Sequence, residues 1–185
     1  MSVNNPTCPT GCSSILPIVN FDLCDPQVSF GEIEIIMLAA GDAANFTDWT
    51  DLAEWTARID NADVADPDKI RQMYVVADLP AATADEIIIS KGRKVYSPAT
   101  HVINVEIDDL SDENYEFART SSCNVTFKVW FFTKSHMYGG NDGVLANVTL
   151  RPVIERGQKS INKISGTISW ESQFSPERAD SVFAT

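Results

Sequence analysis

Residues 122–133 read SCNVTFKVWFFT and carry the clearest strand pattern in the chain. Apolar side chains recur there at every second position: Val125, Phe127, Val129 and Phe131. The positions between them hold Thr126, Lys128 and Trp130. Because successive side chains of a strand point to opposite faces, this alternation predicts a β-strand.

The chain on both sides of this segment predicts further strands. Runs rich in Ile, Val and Thr predict them at 31–39, 70–78, 85–90, 100–108, 144–154 and 162–174. Residues 138–143 read YGGNDG, which indicates a tight turn because Gly and Asn accept positive φ at little cost. The predicted fold class is mainly β, an antiparallel β-sandwich or barrel with one flanking α-helix and an extended N-terminal arm.

The flanking helix is predicted at residues 47–59. Its apolar side chains share one arc: Trp49, Leu52, Trp55 and Ile59. Such a stripe is typical of a helix that packs on the open side of a β-sheet core, and the alternative is a pair of tryptophans that stack on a ligand. A second, shorter helical turn is predicted at 111–118, with Ser111 as its cap.

The charge of the chain is strongly acidic and unevenly distributed. The 185 residues include 26 Asp and Glu against 14 Lys and Arg, a net charge of −12. Residues 1–118 hold 21 of the acids and six of the bases, whereas residues 119–163 hold seven bases and two acids. This balance argues against a nonspecific grip on nucleic acid, which needs positive charge to bind phosphate. It fits complementary contacts between copies of the chain or, more simply, a soluble monomer with its charges in water.

The first 28 residues predict the extended arm, and residues 29–185 a single β-rich domain. The arm is rich in Pro, Ser and Asn and holds three of the four cysteines. Cys8 and Cys12 have a spacing at the loose end of a zinc knuckle, but Cys24 and Cys123 supply no second knuckle. Free thiols are the favoured interpretation, with zinc, or a disulfide in an oxidising compartment, as the alternatives.

The sequence predicts neither export nor membrane insertion. The N-terminus lacks the basic start and the long apolar stretch of a signal peptide. No apolar run approaches the roughly 18 residues that span a bilayer. We therefore expect no membrane partner.

Motifs for catalysis or cofactor binding are missing from the sequence. The nucleophile elbow G-x-S-x-G, the zinc motif H-E-x-x-H and the glycine-rich phosphate loops do not occur. The two imidazoles, His101 and His136, belong to no recognisable catalytic motif. The acidic loop at 60–68 lacks the register and the glycine of a calcium loop and is interpreted as a solvated linker. We predict no catalytic, cofactor-binding or metal-ligating residues, and hence a protein that is not an enzyme.

A distinctive order of elements runs from residue 86 to residue 178. Residues 86–109 combine a strand, a basic turn (KGRK) and a Thr/Val/Ile strand, and an acidic turn follows at 108–117. Next come the aromatic strand, which ends near 138–140, and a closing strand at 164–174 with Pro-Glu-Arg after it. This order resembles structural proteins of tailed bacteriophages, most closely major tail tube proteins, over about residues 30–180.

The resemblance implies a virion protein, assembled in the host bacterial cytoplasm, that forms stacked rings around a central channel. Its partners would be copies of itself and other virion proteins. The assembly elements would correspond to the arm at 1–30 and the connection at 60–100. DNA would pass through an acidic channel without specific binding, because like charges repel. The family carries no catalytic residues, so none transfer to this chain.

Two other functions are compatible with the same sequence. A capsid decoration or head–tail joining protein of a phage would share the β-rich fold and the lack of catalysis. A carbohydrate-binding β-sandwich would stack tryptophan rings on sugars. The tryptophans available for that role are Trp49, Trp55, Trp130 and Trp170.

Overall fold

The computed structural model describes residues 31–183 except 91–92, 122, 124–125 and 157–160. The elements in that part of the chain are β1 Ile33–Ala40, α1 Leu52–Ile59, β2 Arg71–Asp78, β3 Glu86–Ser90, β4 Arg93–Tyr96, β5 Ala99–Ile107, α2 Asp112–Ser121, β6 Thr126–Phe132, β7 His136–Tyr138, β8 Val144–Val153, β9 Lys163–Ser172 and β10 Arg178–Asp180. The arm predicted for residues 1–28 lies outside the described residues.

Six antiparallel strands close into a barrel in the order β1-β2-β5-β9-β8-β6, and β6 pairs back onto β1. Closure passes through Ile36, which lies opposite Met73 on β2 and opposite Phe131 on β6. The short strands β7 and β10 continue the sheet from the end of β6. The predicted antiparallel β fold is therefore confirmed, and of its two forms the barrel is the correct one.

Strands β1 and β6 are buried on both faces. Inward side chains such as Leu38 and Val129 fill the barrel, whereas outward ones such as Met37 and Trp130 join a second core. We call this second core the tryptophan cluster; its members are Met37, Ala39, Ala43, Phe46, Trp49, Trp55, Ile70, Trp130, Phe132 and Met137. The strand predicted at 122–133 is confirmed as β6, and its outer face is buried because α1 and its flanking segments cover it.

Helix α1 forms later in the chain than predicted. Asp51 caps it and accepts a hydrogen bond from the backbone N–H of Ala53 at 2.9 Å. The predicted start at residue 47 was too early, because Asp48 instead holds a turn by accepting bonds from the backbone and hydroxyl of Thr50. Trp55, in the middle of α1, is fully buried in the tryptophan cluster.

Helix α2 is the second helix of the described residues, whereas the predicted fold class had a single flanking helix. It follows Ser111, whose Oγ accepts from the backbone N–H of Asn114 at 3.5 Å, as the predicted cap requires. The helix runs on to Ser121 and packs against β8 near the end of the barrel where β1 ends. Neither helix in the described part of the chain is long and apolar enough to cross a membrane.

Each predicted strand is present, with ends that differ by a few residues. The sequence patterns missed three short strands, β4, β7 and β10. Strand β4 starts with Arg93 and Lys94, which the sequence assigned to a basic turn. A strand of three or four polar-rich residues carries too little alternation to be recognised.

Candidate functional site

A two-stranded hairpin formed by β3 and β4 stands apart from the barrel sheet. Within the described residues its strands pair with each other alone. Two backbone hydrogen bonds between Thr83 and Thr100, of 3.2 and 2.8 Å, tie the segment before β3 to β5. Because an isolated two-stranded hairpin is only marginally stable in water, this element would gain from contacts with another surface.

The side chains of the hairpin are exposed along its whole described length. Five are large and apolar: Ile87, Ile88, Ile89, Val95 and Tyr96. Ile88 is 69% exposed and Tyr96 61%. Ile87 pairs with Val95 while Ile88 pairs with Lys94, so apolar groups lie on both faces. A cluster of this kind is typical of an interaction surface.

The hairpin is basic where β4 begins. The sequence reads KGRK at 91–94, of which Arg93 and Lys94 begin β4. Lys94 pairs with Glu86 at 2.9 Å, but both side chains are exposed and such a pair stabilises a protein little. The hairpin thus presents positive charge on a chain whose net charge is −12.

An acidic surface surrounds the start of α2. Its exposed carboxylates belong to Asp108, Asp109, Asp112, Glu113 and Glu116. Glu116 forms an exposed ion pair with Arg119 at 3.1 Å. The acidic segment predicted at 108–117 is therefore at the surface and opposite in charge to Arg93 and Lys94 at the start of β4.

The acidic loop at 60–68 uses its carboxylates to build turns. Asp63 and Asp66 each accept from the backbone N–H two residues further on, both at 2.9 Å. Asp68 accepts from the backbone N–H of Ala44 at 2.5 Å. Among the described residues, no group of three or more His, Cys, Asp or Glu side chains is placed to hold a metal ion.

The two histidines lie on different strands. His101 on β5 is buried and stacks parallel on Trp170 of β9, with ring centroids 5.0 Å apart. His101 Nε2 and Trp170 Nε1 have no hydrogen-bond partner among the described residues, and an internal water is the ordinary partner for such atoms. His136 lies on β7, with Nε2 3.8 Å from a carboxylate oxygen of Asp180.

All four tryptophans are buried. The exposed fractions are 7% for Trp49, 0% for Trp55, 0% for Trp130 and 5% for Trp170. Trp55 and Trp130 meet edge to face, with ring centroids 5.5 Å apart. The prediction that Trp49 and Trp55 are core residues is confirmed. These buried rings offer no exposed face on which a sugar could stack, so the structure does not support the carbohydrate-binding alternative through these four tryptophans.

The cysteine predictions fall mostly outside the described residues. Cys8, Cys12 and Cys24 lie outside the described residues, so their free-thiol, zinc and disulfide interpretations stay predictions. Cys123 is an exposed free thiol.

Lys128 is a buried cation that sequence reasoning missed. Its side chain leaves the outer face of β6 and is only 3% exposed. Nζ donates to the backbone oxygen of Ala43 at 2.7 Å and to Oδ1 of Asn45. Burial lowers the pKa of Lys128, partly offset by the carboxylate of Asp142. The available signal was one charge inside the apolar run FKVWFF, where a solvated lysine is not expected.

Arg58 holds the loop that supplies the partners of Lys128. Its guanidinium donates to the backbone oxygens of Ala44 and Asn45 at 2.7 and 2.8 Å, and to Glu54 at 2.9 Å. It also lies over the ring of Phe46, 4.1 Å from the centroid. The loop between β1 and α1 is therefore fixed against β6 by two cations.

No protein-family model matches the chain, and no curated protein or solved structure is significantly similar to it. The function is therefore inferred from the surfaces and side-chain clusters of the molecule itself.

Proposed function

We propose that this protein is a non-enzymatic structural protein of a tailed-phage virion that assembles with copies of itself, as a subunit of stacked tail tube rings. The observation that carries the proposal is the β3–β4 hairpin, which forms a sheet separate from the barrel sheet and exposes apolar side chains on both faces. It lies inside the connection at 60–100 that the sequence resemblance assigned to assembly.

The barrel itself has few features that need a partner. Each of its six strands pairs with a neighbour on both sides, although the β2–β5 pairing covers only residues 76–78 and 104–106. The hairpin keeps both outer strand edges and five large apolar side chains in solvent. Burial of one such side chain in an interface stabilises the complex by about 1.5–3 kcal/mol, so several together can hold subunits in a ring.

A second copy of the chain is the partner that the charges favour. Arg93 and Lys94 at the start of β4 and the acidic surface at the start of α2 are present on every copy. Contacts between the two would repeat head to tail, and contacts of this kind form a ring when the rotation between copies closes and a helical filament when it does not. The net charge of −12 suits a channel that DNA passes without sticking, since phosphate is repelled.

The test compares the assembly of the full chain with that of a double variant, Ile88→Ser with Tyr96→Ser. We expect rings or tubes of the wild type in negative-stain micrographs at low salt, a shift toward monomer at high salt, and monomer at all salt concentrations for the variant. Ile154→Ser is the matched control, because Ile154 is 83% exposed and lies in the loop between β8 and β9.

Two results would contradict the proposal. One is a wild type that sediments as a monomer at high concentration and low salt. The other is a hairpin variant that assembles as the wild type does. Trimers or capsid-bound knobs in the micrographs would instead identify a capsid decoration or head–tail joining protein.

A further inference from the structure

Three side chains form a continuous chain of contacts at the edge of the tryptophan cluster. Lys128 Nζ contacts Oδ1 of Asn45, and Nδ2 of Asn45 lies 2.5 Å from Oδ1 of Asp142. A lysine can only donate and a carboxylate accepts, so the amide oxygen must face Lys128 and the amide nitrogen Asp142. An amine, a carboxamide and a carboxyl group are thus held in line.

The surroundings favour a reactive amine at Lys128. The side chain is nearly fully buried, and the barrel strand β6 and the Ala43 carbonyl hold its position. Because burial lowers the pKa of Lys128, the neutral and nucleophilic form is more populated than for a lysine in water. Arg58 fixes the backbone of Asn45, so the carboxamide is held in place as well.

We propose that Lys128 and Asn45 become joined by an intramolecular isopeptide bond, with Asp142 as the group that transfers protons. The proposed bond forms within one chain and does not require virion assembly, so its test is independent of the test of the proposed function.

The reaction is an amide exchange that balances without an outside reagent. Lys128 first gives its ammonium proton to the carboxylate of Asp142, by way of solvent at the exposed edge of the site. The neutral Nζ then attacks Cγ of Asn45, forming the Nζ–Cγ bond. Asp142 protonates Nδ2, the Cγ–Nδ2 bond breaks, and ammonia leaves. The carboxylate takes the surplus proton from Nζ, and the products are a secondary amide and ammonia.

The position of each group suits its step. Nζ lies within hydrogen-bonding reach of the carbonyl that it attacks, and the carboxyl of Asp142 touches the nitrogen that departs. Asn45 is more exposed than Lys128, so ammonia has a path to solvent. The bond would tie the loop after β1 to β6 across 83 residues of sequence.

Mass spectrometry of the purified full-length chain tests the proposal. Loss of ammonia lowers the intact mass by about 17 Da. Trypsin should also yield one cross-linked product in which residues 1–58 are joined to residues 120–134, because the first basic residue is Arg58 and Lys128 is no longer a cleavage site. Fragmentation of that product should place the link between Asn45 and Lys128.

Variants separate the chemistry from the fold. Asn45→Ala changes an exposed side chain. The folded variant should have the mass calculated from its sequence, without the loss of ammonia. Asp142→Asn keeps the size of the side chain but removes the acid, and should also give the full mass. Lys163→Arg is the matched control, because Lys163 only forms a partly exposed ion pair with Glu106, and it should keep the lower mass. Circular dichroism establishes that each variant is folded.

Three results would overturn the proposal. The first is a folded wild type with its full mass. The second is a lower mass that persists in Asn45→Ala, which would place the loss of ammonia elsewhere. The third is a linked peptide pair that forms equally in Asp142→Asn, which would remove Asp142 from the reaction.

Discussion

The tryptophan cluster and the β3–β4 hairpin both contain large apolar side chains, but those of the cluster are buried and those of the hairpin are exposed to solvent. In the cluster, aromatic rings are buried and Trp55 Nε1 donates to the backbone oxygen of Trp49. At its edge the buried Lys128 donates to the backbone oxygen of Ala43. In the hairpin, three isoleucines and a tyrosine face solvent beside Arg93 and Lys94. The cluster is packed within one chain, whereas the described side chains of the hairpin stay exposed.

This difference in burial arises from the length of the strands and from whether a second layer covers them. Strands β1 and β6 belong to a closed barrel and are covered by α1, so their outer faces lose contact with water. Strands β3 and β4 have five and four residues and no covering layer within the described chain. Stability should therefore depend on the cluster and association on the hairpin.

The largest expected effect comes from Trp55→Ala. Trp55 is fully buried, and its ring centroid lies 4.2 Å from that of Phe46, so truncation leaves a cavity. We expect the free energy of unfolding to fall by about 3–5 kcal/mol. Urea denaturation followed by circular dichroism measures this, with Tyr96→Ala as the matched aromatic control in the hairpin. An equal loss in both variants would refute the contrast.

A second change, Gly143→Ala, tests how tightly the cluster is closed. Gly143 has φ of +67°, and an added Cβ would lie 2.7 Å from Cζ2 of Trp130. Strain and overpacking together should cost about 2–4 kcal/mol. Gly143→Asn separates the two causes, since Asn tolerates positive φ but has the same Cβ. If Asn recovers most of the stability, the contact with Trp130 does not matter.

A smaller effect is expected for Glu54→Gln, and it depends on pH. Partial burial favours the neutral acid, but hydrogen bonds from the backbones of Asp48 and Thr47 and from Arg58 outweigh it and lower the pKa of Glu54. A lowered pKa stabilises the folded state above the unfolded pKa, and this contribution is lost as the pH falls through the folded pKa. Wild-type stability should therefore drop more steeply than that of Glu54→Gln below about pH 5. Parallel stability curves in thermal melts at several pH values would contradict this.

The smallest effect on stability is expected for Ile88→Ser in the hairpin. Ile88 is 69% exposed, so its truncation should change the free energy of unfolding of the monomer by less than about 0.5 kcal/mol. Chemical denaturation at low protein concentration measures this. A loss comparable to that of Trp55→Ala would show that the hairpin packs on its own barrel.

Local patterns predicted the strands well and their surroundings less well. Alternation in 122–133 located β6, and Ser111 located the start of α2, because both signals depend on neighbours in sequence. The burial of Lys128 depends on a loop 83 residues away in sequence, and no local pattern carries that information. The exposure of Ile87, Ile88 and Ile89 could not be predicted from local sequence either, since a run of isoleucines would ordinarily predict a buried strand.

The sequence by itself determined the strand content, the turn at 138–143, the helix that carries Trp55 and the acidic balance of the chain. Each of these follows from side-chain periodicity, from the φ preferences of glycine or from counting charges. Only the tertiary structure decided that the sheet closes into a barrel, that β6 is buried on both faces and that one isoleucine-rich strand is left in solvent. Those outcomes depend on which distant segments meet, because burial is a property of the packed molecule and not of any stretch of its chain.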